Sequence, residues 1–150
     1  MKKAALVLLF TPVLSMPFTA WAQSDPAEAV TGVFRQFLTA FTNSDAETVV
    51  NLFSTDALFW GTGSQTLVED SAGIQQYFSN LQGGTPGQNI ASALGYSVHV
   101  LSETDVLVSG MWQIQFGANA NGIPLRVSMA VSQREGEWKI IQFHNSRVPE

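Results

Sequence analysis

The sequence predicts an α+β domain in which helices come first and an antiparallel meander follows, the helices lying across one face of the sheet. Three observations predict it. Capped stretches with apolar residues at three- and four-residue steps occupy the region from Asp25 to Leu81. Alternating apolar and polar stretches occupy the region from Asn89 to Ser146. A Glu135-Gly136 turn separates the last two of these stretches.

The first helix opens at Asp25-Pro26-Ala27-Glu28, where Asp25 caps, Pro26 suits the first helical position and Glu28 stands three residues after the cap. Val30, Val33, Phe34, Phe37, Leu38 and Phe41 then form one wide apolar stripe. Burying such a stripe contributes roughly 1.5–3 kcal/mol per large side chain before conformational entropy is counted. Ser44-Asp45-Ala46-Glu47 reads as a capping box for a short second helix through Val49, Val50, Leu52 and Phe53. Asp56 to Trp60 reads as a brief strand, ended by Gly61-Thr62-Gly63-Ser64. Those glycines lack the spacing and the Lys of a phosphate loop, so they form an ordinary turn. Asp70 caps a third helix with Ile74, Tyr77, Phe78 and Leu81 inward, and Gly83 to Gly87 is a loop. Four strands follow: Asn89 to about Leu101, Val106 to Phe116, Ile123 to Gln133, and Trp138 to Ser146.

A chain of 150 residues, 45% hydrophobic and with ten Phe and four Trp, suits a single domain with a substantial core. Residues 1–22 read as a secretory signal, with Lys2 and Lys3 first, an apolar run from Ala4 to Phe10, and the cleavage pattern Ala20-Trp21-Ala22. The run is too short to span a bilayer, and Pro12 and Pro17 interrupt it, so no membrane attachment is expected after cleavage. Residues 23–150 are then the domain, placed in the periplasm or outside a bacterial cell. Cleavage before Gln23 removes two of seven basic residues and none of twelve acidic ones, taking the net charge from −5 to −7. An acidic domain without a basic cluster does not suit nucleic acid. The absence of Cys excludes disulfides and thiolate chemistry.

Alternation assigns the sheet faces. Val106, Val108, Gly110, Trp112, Ile114 and Phe116 form the apolar face of the second strand, and Ile123, Leu125, Val127, Met129 and Val131 that of the third. In the last strand Trp138, Ile140, Gln142, His144 and Ser146 share one face. A tight Glu135-Gly136 hairpin pairs Val131 with Ile140, Met129 with Gln142 and Val127 with His144. A loop from Gly117 to Gly122 pairs Phe116 with Ile123 and Trp112 with Val127. These registers set Trp112, Val127 and His144 in one row on the inner face, and a bulge in either hairpin turns the polar residues outward. On the outer face Leu107, Met111, Ile141 and Phe143 form an apolar patch, which suits a homodimer.

Leu67-Val68-Glu69, Tyr77-Phe78-Ser79-Asn80-Leu81, Val98-His99-Val100 and Glu135-Gly136-Glu137-Trp138 leading to His144-Asn145-Ser146 carry a family likeness. From about Val30 to Pro149 the chain resembles the nuclear transport factor two-like superfamily. Within it, the chain is most similar to the association domain of calcium/calmodulin-dependent protein kinase II, with SnoaL-like proteins beside it. The resemblance implies a cone-shaped, cystatin-like sheet with three helices on its inner face, and it hosts unrelated activities. Where the association domain carries pocket arginines this chain has Trp112 and Met129, and it contains no kinase domain. Isomerases and cyclases of this fold use an Asp or Glu inside the cone. Here the acids fall at caps, first turns and hairpins, and Asp56 stands at the very start of the short strand.

Candidate site residues follow. His144 is able to orient a ligand or move a proton near neutral pH; the plainer reading is a histidine satisfied by a backbone carbonyl or by Gln142. Gln142 reads as a pocket amide, because a buried amide without a partner costs about 1–3 kcal/mol. Trp60, Tyr77 and Trp112 suit an aromatic lining for a small apolar or aromatic ligand, or else fill the core, and Met129 joins them on the inner face. Arg126 and His99 face outward. Two distant histidines, no Cys and no nearby carboxylate pair point to no metal site, and no cofactor is implied. The function expected is an exported, non-catalytic ligand-binding or assembly domain. The alternative is a SnoaL-like enzyme using His144 as acid or base.

Overall fold

A computed structural model describes residues 25–117 and 119–149; the expected export signal, residues 1–22, lies outside them. Three helices precede four long strands: α1 (Pro26–Thr42), α2 (Ala46–Asn51), β1 (Phe53–Trp60), α3 (Ser71–Phe78), β2 (Asn89–Val100), β3 (Asp105–Phe116), β4 (Ile123–Arg134) and β5 (Glu137–Arg147). A single 3₁₀ turn, Ser79–Leu81, extends α3.

The Asp caps bind as the sequence predicts at two helices. Asp25 Oδ1 accepts from the Ala27 amide at 2.9 Å, and Asp70 Oδ1 accepts from the Gly73 amide at 2.7 Å. At α2 the cap is Asp45, which accepts from the Thr48 amide at 2.9 Å, and not Ser44. Ser44 instead holds a left-handed φ of 56° in the turn between helices. Helix α2 stops at Asn51, and Phe53 already belongs to β1.

The five strands form one sheet in the order β1-β5-β4-β3-β2. β1 runs parallel to β5, and every other pair is antiparallel. The Glu135-Gly136 turn is a two-residue hairpin in which both residues have positive φ, 53° and 86°, matching the twist of the flanking strands. Helix α1 lies against the sheet with Val30, Phe34 and Phe37 buried over Val106, Val108 and Trp112. Its last turn is tied down by the Thr42 hydroxyl, which accepts from the Ala91 amide of β2 at 3.0 Å.

Two registers depart from expectation, with opposite consequences. β3 and β4 pair Ile114 with Ile123 and Trp112 with Leu125, a slip of two residues that leaves every side chain on its expected face. β4 and β5 begin as predicted with Val131 opposite Ile140, but Ala130 then pairs with Gln142. Ile141 is one residue too many, a β-bulge. Beyond it Phe143 and Asn145 turn inward, opposite Met129 and Val127, while Gln142 and His144 turn outward. The cause is hydrophobic. The bulge buries both Ile140 and Phe143, and a bulge-free strand would spend Phe143 on solvent and place Gln142 and His144 in the core. Trp112 and His144 therefore lie on opposite faces of the sheet.

The outer apolar patch changes for the same reason. Phe143 is buried and leaves it, while Leu58 and Trp60 of β1 join it beside Gln142 and His144. Leu107, Met111 and Ile141 are half-buried.

Candidate functional site

A cavity of about 410 Å³ opens at one end of the cone, between α1, α3 and the inner face of the sheet. Its base is aromatic. Phe59 and Phe143 stack with ring centres 5.5 Å apart, brought together by the parallel pairing of β1 with β5. Phe37 of α1 meets Phe143 at 5.2 Å and the Trp112 ring edge-on at 5.7 Å. Phe41, one turn further along α1, also meets Trp112 edge-on at 5.7 Å. Phe116 and Ile123 form part of the lining while remaining substantially exposed, which makes the rim apolar as well.

One polar chain crosses this apolar surface. The Trp112 indole nitrogen donates to Asn145 Oδ1 at 2.8 Å, and Asn145 Nδ2 donates to Thr62 Oγ1 at 2.6 Å. Both Trp112 and Asn145 are buried, so the indole proton and the amide satisfy each other. Tyr77 projects from α3 over Phe59, with ring centres 4.7 Å apart, and its hydroxyl accepts from the Gly63 amide at 3.4 Å. Gly61 is required beneath it, because a β-carbon at that position would overlap the Tyr77 ring. Arg147, two residues beyond Asn145 on the same strand, is exposed and is the one charged side chain among the described residues of the lining.

No Asp, Glu or His is among the described residues that line the cavity. The carboxylates with displaced acidity lie elsewhere. Asp45, Asp56, Asp105 and Glu137 are each held below the ordinary carboxylate range, chiefly by hydrogen bonds from Thr48, Ser54, Ser132 and Lys139 respectively. Among the described residues no three His, Cys, Asp or Glu side chains are grouped so as to hold a metal ion.

Of the residues expected from sequence, Tyr77 and Trp112 line the cavity. Met129 shares their side of the sheet but is packed into the core outside the lining. The expected inward placement of Trp60, Gln142 and His144 is wrong. Trp60 is 39% exposed on the outer face, where it pairs with His144, and Gln142 pairs with Leu58. His144 lies in a shallow outer depression with Met111, Arg126, Ser128 and Ser146. Arg126 and His99 are exposed, as expected. The sequence reading missed Asn145, Thr62 and Arg147. The signal for the first was the doublet Ile140-Ile141, two adjacent large aliphatics in an alternating strand. Thr62 sits in a turn, where no periodicity points to it.

Comparison with known proteins places this geometry. Residues 30–150 match the model of the SnoaL-like domain. No curated protein matches the chain. Among solved structures, a Xanthomonas campestris protein named as a calcium/calmodulin-dependent protein kinase II association domain is 21% identical with a TM-score of 0.71, covering 96% of this chain and 99% of its own. The association domain of C. elegans calcium/calmodulin-dependent protein kinase II is 23% identical with a TM-score of 0.67, covering 79% and 93%. A Streptomyces avermitilis protein named as a dehydratase of the nuclear transport factor two-like family is 17% identical with a TM-score of 0.71, covering 83% and 96%. These likenesses show the cone-shaped, cystatin-like fold. By the match over residues 30–150, this chain belongs to the SnoaL-like family.

Proposed function

We propose that the protein is an exported, non-catalytic domain that binds a small, largely apolar ligand in the cone and associates as a homodimer through the outer sheet face. The observation that carries the binding reading is the composition of the cavity: aromatic walls, a few fixed polar groups, and neither carboxylate nor imidazole to move a proton. Export rests on the Lys2-Lys3 start and the Ala20-Trp21-Ala22 pattern. Self-association rests on Leu58 and Trp60, both exposed on β1 at one edge of the outer face, with the half-buried Leu107 and Met111 of β3 further across it.

A catalytic reading draws support from the dehydratase name of one structural neighbour. Against it, the described lining offers hydroxyls, those of Tyr77 and Thr62, but no carboxylate or imidazole to carry a proton, and His144 faces the other way. The test of the binding reading is fluorescence. In a Trp60→Phe, Trp138→Phe background, the mature domain reports chiefly on Trp112, so small aromatic compounds should quench its emission and raise its melting temperature. If no compound in such a screen changes either signal, the cavity is not a binding site and the reading fails.

A further inference from the structure

Resting on that ligand-binding reading, we infer that the cavity selects an amphipathic anion, an apolar body carrying one carboxylate, with the carboxylate held by Arg147 and the Thr62 hydroxyl. The direction of the hydrogen bonds carries the inference. An indole nitrogen only donates, so the Asn145 atom facing Trp112 is its carbonyl oxygen. The amide nitrogen is thereby turned towards Thr62, and an amide nitrogen also only donates. Thr62 Oγ1 must accept, which leaves its own proton for another partner. The Tyr77 hydroxyl accepts from Gly63 and likewise keeps its proton.

The polar functions left over on this side of the cavity are therefore donors: two hydroxyl protons and the guanidinium of Arg147. Asn80 and Asn89 add amides that serve either way, and nothing in the lining is an obligate acceptor of the carboxylate kind. A site with that inventory prefers a ligand rich in acceptors. The aromatic base and the exposed rim residues Phe116 and Ile123 call for an apolar body. The gradient along β5 sets the orientation: Phe143 and Asn145 are buried and Arg147 is exposed, so the body enters first and the anion stays at the mouth. The mature domain's net charge of −7 repels anions at long range, but screening confines that repulsion to about 8–10 Å in ordinary salt.

Three probes of one shape test it: 2-naphthoate, 2-naphthamide and naphthalene, titrated calorimetrically into the mature domain, its Arg147→Gln variant and its Thr62→Val variant. The expected result is 2-naphthoate binding at least about tenfold tighter than 2-naphthamide, the size of one charge-assisted hydrogen bond. Arg147→Gln should collapse that difference, and Thr62→Val should weaken 2-naphthoate several-fold while both variants unfold cooperatively. Equal affinity for 2-naphthoate and 2-naphthamide, or a preference that survives Arg147→Gln, overturns the anion assignment and leaves the pocket reading standing. Binding of none of the three overturns both.

Discussion

The Trp112 indole proton is received by the Asn145 amide at 2.8 Å, across 33 residues of chain and two intervening strand pairings. This bond ties the centre of β3 to the far end of β5 at the edge of the cavity. It exists only because the bulge at Ile141 turns Asn145 inward.

Asn145→Leu should destabilise the domain by about 1–3 kcal/mol, because it strands a buried indole N–H. Adding Trp112→Phe removes that donor, so the double variant should lose less than the two single losses combined. Urea unfolding curves of the four proteins give the coupling. A coupling of zero would mean that the bond contributes nothing to stability.

Deleting Ile141 removes the extra residue and restores simple alternation in β5. Plain alternation from an inward Ile140 then sets Gln142 and His144 outward and Phe143 and Asn145 inward, the faces they already hold, with no bulge needed. The deletion variant should therefore keep a cooperative thermal transition by near-ultraviolet circular dichroism. Loss of that transition would show that Ile141 does more than take up the extra position.

Gly61→Ala forces the Tyr77 ring off its seat, since the added methyl occupies the space of the phenol. A loss of about 1–3 kcal/mol is expected, the usual cost of overpacking. The same substitution in a Tyr77→Ala background should cost distinctly less, which thermal melts of the pair will register.

Asp105 accepts from the Ser132, Ser102 and Thr104 hydroxyls, joining the β2–β3 turn to β4. These bonds lower its folded-state pKa, with Ser132 as the largest cause. A carboxylate depressed on folding stabilises fully above its unfolded value, about 3.9. That contribution is lost as pH falls from there through the folded value. Asp105→Asn should therefore flatten the acid limb of the stability profile below about pH 4 and leave its slope near pH 7 unchanged. An unaltered acid limb in pH-jump unfolding would count against it.

His144→Ala should leave 2-naphthoate affinity within about twofold, because the ring lies across the sheet from the cavity. Trp60→Glu, on the same outer face, should convert the proposed dimer to monomer in sedimentation equilibrium. A monomeric unsubstituted domain at every concentration would remove the dimer from the proposal.

Much of the fold was legible because its signals are local. Asp25 and Asp70 announce their helices, and the α1 stripe from Val30 to Leu38 is buried as its spacing implies. β3 and β4 keep their faces despite a two-residue slip, since a period of two forgives even errors. One inserted residue is an odd error, and it inverted everything after Ile140 in β5. That is why Phe143 was placed on the surface and His144 in the pocket. The partner of β1 was illegible for a different reason: parallel pairing between residues nearly ninety positions apart leaves no mark in either segment.

That parallel pairing has a consequence for how the molecule is made. β5, flanked on both sides by hydrogen-bonded neighbours, is the last of the five strands to be synthesised, while its partner β1 is the first. Until Ile140 arrives to donate its amide to Leu52, at 2.8 Å, the early strand has no ladder to join. A nascent chain halted before Glu137 is left with two unzipped edges, so the domain ripens in one late step, after nearly all of it has left the ribosome.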